Sequence, residues 1–230
     1  MKNITLIYCI LFLSLFMGGK AQAQDWPNLN KYQNENANLK PAAAGQKRIV
    51  FMGDSITEFW STVNSEYFSG KPYVNRGISG QTTPQMLVRF RADVIALKPA
   101  AVVILAGIND IAGNTGPATL EMIANNIFSM AELAKANQIK VILCSVLPAY
   151  DFSWKPNQNP AEKVMALNEM IKNYADANGI LYLDYFSAMA DERKGLPALY
   201  SNDEVHPNKK GYQVMAPLAE EAITKVLSQK

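Results

Sequence analysis

The sequence predicts a three-layer α/β/α sandwich built on a five-stranded parallel sheet. Three observations lead there. Five short β-rich runs punctuate the chain, segments with helical spacing alternate strictly with them, and the runs are continuously apolar rather than alternating. Alternation of strand and helix implies parallel neighbours joined by crossover helices. Strands covered on both faces carry no polar side.

The expected strands cover residues 48–52, 73–75, 101–106, 140–147 and 180–185. The first ends at Gly53-Asp54-Ser55, a tight turn leading into a short helix over Ile56-Thr57-Glu58-Phe59-Trp60. Helical spacing appears in four further segments. Met86, Leu87, Phe90, Val94 and Ile95 mark 84–97, which stops before Pro99. Leu120, Ile123, Ile127, Met130 and Leu133 mark 120–137, and Val164, Leu167, Ile171 and Tyr174 mark 160–178, closed by Asn178-Gly179. Tyr212, Met215, Leu218, Ile223 and Val226 mark 211–227, with Pro217 as its true start or a kink. Residues 24–47 are polar, with Leu29, Tyr32 and Leu39 on one weak helical face. They are expected to lie as an N-terminal arm on the domain, although a disordered leader fits the first ten residues equally.

At 230 residues and 49% hydrophobic, the chain suits one domain over residues 48–230. Residues 1–23 have the layout of a secretory signal: Lys2, an apolar stretch from Ile4 to Met17, Gly18-Gly19, then Ala21-Gln22-Ala23 before Gln24. The apolar stretch is shorter than the ~20 residues a spanning helix needs, so no membrane span is expected after its removal. Export to the periplasm or the cell exterior is the expectation. There are 22 basic and 20 acidic residues; Lys2 and Lys20 fall in the signal, leaving 20 of each. That balance offers nothing to neutralise phosphates and argues against a nucleic-acid partner. Cys144 would be the only mature cysteine and reads as a core residue. A single histidine, His206, does not supply a typical zinc site, so neither metal nor cofactor is expected.

In parallel sheets ligands bind beyond the carboxyl ends of the strands. The residues there are Gly53-Asp54-Ser55, then the stretch Asn75 to Thr83, then Gly107-Ile108-Asn109-Asp110, then Tyr150, Asp151 and Phe152. Ser55 can be a nucleophile if a base takes its proton, and His206 is the one imidazole available. Asp203, three residues earlier, can reach the other ring nitrogen; a surface histidine in a turn is the competing reading. Candidate donors to a developing oxyanion are the Ser55 N–H, the Gly80 N–H and the Asn109 amide, against ordinary roles as turn glycine and helix cap.

Gly53-Asp54-Ser55, a glycine within Asn75 to Thr83, Gly107-x-Asn109-Asp110 and Asp203-x-x-His206 occur in the order of the four blocks of the SGNH, or GDSL-type, hydrolase superfamily, and nearly all of residues 48–227 resembles it. The run from Gly77 to Asp110 further resembles bacterial acetylesterases related to the catalytic subunits of platelet-activating-factor acetylhydrolase. The resemblance implies a flavodoxin-like sheet of order 2-1-3-4-5. It implies Ser55 as nucleophile, His206 as general base and acid, Asp203 as its orienter, and an oxyanion hole of Ser55, Gly80 and Asn109. Gly77 competes with Gly80, whose Ser-Gly-Gln-Thr setting fits the block better.

Asp54, Arg76, Asp110, Tyr150 and Trp154 are candidate substrate contacts, with Glu58 a further possibility. Tyr150, Phe152 and Trp154 form an aromatic loop that can stack on sugar rings or pack over the core edge. Export, the absence of a long lid-like insertion and this loop favour removal of O-acetyl groups from carbohydrate. The alternatives are a lysophospholipase or thioesterase acting on longer chains, and a non-catalytic carbohydrate-binding protein on a hydrolase fold.

Overall fold

The computed structural model describes residues 24–229; the expected export signal lies outside the described residues. Five parallel strands, β1 (Ile49–Gly53), β2 (Tyr73–Gly77), β3 (Ala101–Leu105), β4 (Lys140–Cys144) and β5 (Leu181–Leu183), form one sheet of order β2-β1-β3-β4-β5. Gly53, the last residue of β1, pairs with Gly77 on one side and Leu105 on the other, so three strand ends lie level. β1 and β3 are buried along their whole length, as continuously apolar central strands must be.

The helices are α1 (Gln33–Asn38), α2 (Ser55–Val63), α3 (Thr83–Asp93), α4 (Ile108–Ile111), α5 (Leu120–Ala136), α6 (Pro160–Ala177), α7 (Tyr185–Met189) and α8 (Lys209–Ser228). α3, α5 and α6 pack side by side on one face of the sheet, while α2 and α7 pack against α8 on the other. Among the described residues no helix is long and apolar enough to cross a membrane.

Three boundaries differ from the sequence expectation, each for a physical reason. The apolar run 140–147 leaves the ladder after Cys144 because Asn168 of α6 replaces a neighbouring strand: its Oδ1 accepts the Val146 N–H at 2.7 Å and its Nδ2 donates to the Val146 carbonyl at 3.0 Å. β5 stops at Leu183 because Asp184 caps α7, accepting the Ser187 N–H at 3.0 Å. Pro217 neither starts nor ends α8, which runs through it. Pro217 and Gln213, the residue whose carbonyl it leaves unpaired, both face solvent, so water can satisfy that carbonyl.

An aromatic cluster joins the elements that carry the strand-end residues. Phe51 of β1 packs edge-on to Trp60 of α2 at 5.8 Å, and Trp60 stacks on Tyr212 of α8 at 5.4 Å. The Tyr212 hydroxyl donates to the Ile56 carbonyl at 2.7 Å, tying the start of α8 to the first turn of α2.

Candidate active site

Ser55 is the first residue of α2, directly beyond the end of β1. The turn is tight because Gly53 has no side chain: a Cβ there would lie 2.1 Å from Thr57 Oγ1 and 2.7 Å from the Leu105 carbonyl. Asp54 caps the helix, its Oδ1 accepting the Ile56 N–H at 2.9 Å. As a first-turn residue Ser55 has an N–H with no helical acceptor, and it donates to none among the described residues.

His206 arrives from the loop before α8. Its Nε2 lies 2.9 Å from Ser55 Oγ, and its Nδ1 lies 2.6 Å from Asp203 Oδ2. The aspartate orders its own loop: Oδ1 accepts the Val205 N–H at 3.0 Å, the His206 N–H at 2.7 Å and the Ser201 hydroxyl at 3.0 Å. Partial burial raises the Asp203 carboxyl, but the N–H bonds from His206 and Val205 and the imidazole beside it outweigh burial and bring it down to about 2. Asp203 is therefore ionised at neutral pH and accepts from Nδ1–H, leaving Nε2 with its lone pair towards Ser55. The tight loop needs Glu204 at φ +64°, a left-handed conformation that costs a residue with a Cβ.

Two further donors converge on the same end of the sheet. Gly80, at φ +75°, forms a turn closed by the Gln81 N–H on the Ile78 carbonyl, and among the described residues its own N–H donates to nothing. Asn109 in α4 is held at both ends: its Oδ1 accepts from Asn114 Nδ2 at 2.9 Å, and its Nδ2 donates one hydrogen to the Gln81 carbonyl at 3.0 Å. Asn114 Nδ2 also donates to the Gly80 carbonyl at 3.2 Å. This fixes the amide orientation of Asn109 and leaves its second Nδ2 hydrogen unspent. Gly77 does different work. A Cβ there would meet the Glu58 backbone N at 2.2 Å and the Asp54 carbonyl at 2.7 Å, so its role is close packing under α2.

The expected substrate contacts divide. Trp154 is half exposed, stacks on buried Phe152 at 5.2 Å, and has its ring 6.3 Å from that of His206. Tyr150, also exposed, carries the Arg193 guanidinium over its ring at 4.7 Å. Asp54, Arg76 and Asp110 are buried and make their hydrogen bonds within the protein. Asp54 is buried as the α2 cap; burial pushes its carboxyl up to about 7 against the lowering pull of the Ile56 N–H. Asp110 accepts the Thr83 N–H and, at 2.7 Å, the Thr83 hydroxyl, bracing α3 against α4; burial raises it to about 6. Arg76 is buried beneath the N-terminal arm, donating from Nε and Nη2 to Asn36 Oδ1 at 2.9 and 2.7 Å and lying over the Tyr32 ring. Glu58 likewise turns from substrate to Lys31 and Ser79.

Sequence reasoning missed Phe59, a partly exposed α2 residue whose ring lies 5.4 Å from the His206 ring; its place four residues after Ser55 was the signal. It also missed Asn114, which carries no motif of its own.

The arrangement links a hydroxyl, an imidazole and a carboxylate by hydrogen bonds, and leaves three N–H groups at the same end of the sheet without an acceptor among the described residues: the residue types that acyl transfer through serine needs. A family model described as GDSL-like lipase/acylhydrolase matches residues 51–214. A solved structure from Bacteroides fragilis, assigned as an acylhydrolase, is 48% identical, with a TM-score of 0.86 covering 89% of this chain and 99% of that one. A GDSL-like lipase from Bacteroides thetaiotaomicron is also 48% identical, with a TM-score of 0.84 over 86% and 98% of the two chains. An acetylxylan esterase from Geobacillus stearothermophilus is 26% identical over 198 residues, 74% of this chain and 90% of its own length.

Proposed function

The chain belongs to the GDSL-like lipase/acylhydrolase family and is a GDSL-type esterase, and from that premise we propose that it removes short acyl groups, foremost O-acetyl from carbohydrate, through an acyl-enzyme on Ser55. The observation that carries the reading is the continuous chain Ser55 Oγ–His206 Nε2 at 2.9 Å and His206 Nδ1–Asp203 Oδ2 at 2.6 Å.

In this mechanism Ser55 Oγ attacks the ester carbonyl carbon while His206 Nε2 takes the hydroxyl proton. The carbonyl electron pair moves to oxygen, which the N–H groups of Ser55 and Gly80 and the Asn109 Nδ2 hold. The ionised Asp203 stabilises the imidazolium. Collapse breaks the bond to the alcohol oxygen, and His206 returns the proton to that leaving group. Water then repeats the sequence on the acyl-enzyme, with His206 as base, releasing the acid and restoring Ser55. No metal or cofactor enters these steps.

Two features support an acetylated carbohydrate as substrate: the half-exposed Trp154 ring beside His206, able to cover one face of a sugar, and the likeness to an acetylxylan esterase. Acetate release from acetylated xylooligosaccharides, alongside a p-nitrophenyl ester series from acetate to laurate, tests the reading. Acetate preferred over laurate is expected; laurate preferred over acetate removes the acetylesterase proposal in favour of a lysophospholipase or thioesterase. That second reading draws on Phe59 and Trp154, which together offer apolar surface beside His206. Absence of fluorophosphonate labelling in the wild type, or labelling unchanged in Ser55→Ala, would remove the claim that Ser55 is the nucleophile; absence of both labelling and ester hydrolysis would favour a non-catalytic binding protein.

The proposal includes export, with residues 1–23 removed so that the mature protein begins at Gln24. N-terminal sequencing of protein recovered outside the cytoplasm should read Gln-Asp-Trp; a retained Met1 sequence would contradict it.

A further inference from the structure

We propose that the N-terminal arm, residues 25–36, is a positioning strap that holds the Gly80 loop in place for the reaction, acting on turnover rather than on substrate binding. The proposal rests on the oxyanion role given to Gly80 above.

Gly80 protrudes into open space: a Cβ built on it meets nothing nearer than Asn114 Nδ2 at 4.0 Å. The loop must therefore be held through its neighbours, and the residues on both sides of Gly80 are tied to the arm. Before it, the Ser79 N–H and hydroxyl both donate to Glu58 Oε2 at 2.6 Å. Glu58 sits one turn after Ser55 on α2 and is paired by Lys31 of the arm. Burial raises the Glu58 carboxyl, but the bonds from Lys31 and Ser79 outweigh it and leave it lowered, so it is ionised in this seat. After Gly80, the Gln81 side chain donates from Nε2 to the Pro27 carbonyl at 2.7 Å and accepts at Oε1 from Arg89 Nε at 2.5 Å. Arg89 in turn donates to the Gly53 carbonyl at 3.0 Å, just before the turn that carries Ser55. The base of the loop is closed by the Tyr32 hydroxyl on the Gly77 carbonyl.

The arm is itself preshaped for this. Asp25 accepts the N–H groups of Leu29 and Asn30 at 2.8 and 2.9 Å, folding residues 25–30 into a compact turn that presents the Pro27 carbonyl and Lys31. A crevice of about 780 Å³ between the arm and the β2 edge is lined by Lys31, Tyr32, Glu35, Glu58 and Arg76, and neither Ser55 nor His206 borders it. The arm therefore reaches the proposed oxyanion hole through bonds to the loop and not by covering the catalytic residues. A donor must meet the oxygen to within tenths of an ångström in the transition state, so slack in this loop costs rate while leaving ground-state binding nearly untouched.

The test uses the full chain and steady-state hydrolysis of p-nitrophenyl acetate. Lys31→Ala is expected to lower kcat about tenfold and Glu58→Ala up to about a hundredfold, with KM within about twofold of wild type, because misplacement of catalytic groups on the scale of 1 Å has effects of that order. Lys31→Arg restores the charge and should recover wild-type kcat. Glu35→Ala, on the same arm but facing Arg76, should leave kcat unchanged. Wild-type kcat in both Lys31→Ala and Glu58→Ala, with Ser55 still labelled by a fluorophosphonate, overturns the strap. So does an equal loss in Glu35→Ala, which would indicate general loosening of the fold. A wild type that hydrolyses no ester and takes no label overturns the esterase reading itself, and the strap with it.

Discussion

Asp203 grips His206 twice. Its Oδ1 accepts the His206 backbone N–H at 2.7 Å while its Oδ2 faces the ring Nδ1 at 2.6 Å, so one carboxylate sets both the backbone turn and the ring orientation. The two functions are separable by mutation. Asp203→Asn keeps an oxygen for the Val205 and His206 N–H groups but presents an amide NH₂ to Nδ1, which favours the wrong imidazole tautomer. Turnover should fall by roughly 10² to 10⁴ with little change in thermal stability. Asp203→Ala should lose a similar amount of activity and also about 1 kcal/mol of stability, because partly buried N–H groups of the loop lose their acceptor. His206→Ala should cost at least as much turnover as Asp203→Asn. Stopped assays on p-nitrophenyl acetate and thermal unfolding of the variants read the comparison; a Asp203→Asn enzyme with wild-type kcat would refute it.

Gly77 and Gly80 lie three residues apart and should fail in different ways. Gly77→Ala drives a Cβ to 2.2 Å from the Glu58 backbone N, which no rotamer can relieve, so the first turn of α2 must shift. Loss of several kcal/mol or failure to fold is expected, as overpacking against backbone costs on the order of 1–3 kcal/mol or more. Gly80→Ala has room for its methyl and suffers only from φ +75°, about 1–2 kcal/mol. Its stability should drop modestly while kcat falls with KM nearly constant, because the backbone relaxes away from the angle that aims its N–H. Equal kinetic effects in soluble, folded forms of the two variants would remove the distinction.

Asp54 makes stability depend on pH. Burial raises its carboxyl to about 7, from about 4 in an unfolded chain. Between those values the native state holds a proton that the unfolded state has released, so stability falls as pH rises through that window and levels off above it. Asp110, raised to about 6 by burial, acts with the same sign. Asp54→Asn retains an oxygen for the Ile56 N–H and removes the charge. Denaturant unfolding should show the variant and wild type close together near pH 4. At pH 8 the variant should be more stable by an amount on the order of a few kcal/mol. A wild type whose stability is flat from pH 4 to 8 would show that Asp54 is not buried as a charged group.

The sheet was legible because its central strands are buried on both faces, so their apolar character does not depend on partners elsewhere in the chain. β4 stops short of its apolar run because Asn168, distant in sequence, supplies to Val146 the bonds that a neighbouring strand would have made. At the strand ends, Ser55, His206, Asp203, Gly80 and Asn109 could be singled out because acyl transfer needs few residue types and the chain holds one histidine. Arg76, Asp54, Asp110 and Glu58 could not be sorted the same way. A polar residue at a strand end can face a ligand or bind the protein itself, and sequence spacing is identical in both cases. Only the partners decide: Asn36 for Arg76, Ile56 for Asp54, Thr83 for Asp110, Ser79 for Glu58.

Trp154 allows the carbohydrate proposal to be separated from plain esterase activity. Its ring rests on Phe152, which is fully buried, so the exposed face is held rather than free to swing. A pyranose carrying the acetyl group could lie against that face while its ester reaches Ser55; p-nitrophenyl acetate has no sugar to place there. Trp154→Ala should therefore raise KM for acetylated xylooligosaccharides about tenfold, the effect of losing one aromatic contact worth roughly 1.4 kcal/mol. For p-nitrophenyl acetate, KM and kcat should stay within about twofold of wild type. The Trp154–His206 ring separation of 6.3 Å makes the opposite outcome equally readable. If both substrates lose kcat alike, Trp154 serves to hold His206 against Ser55, and the sugar must be recognised elsewhere.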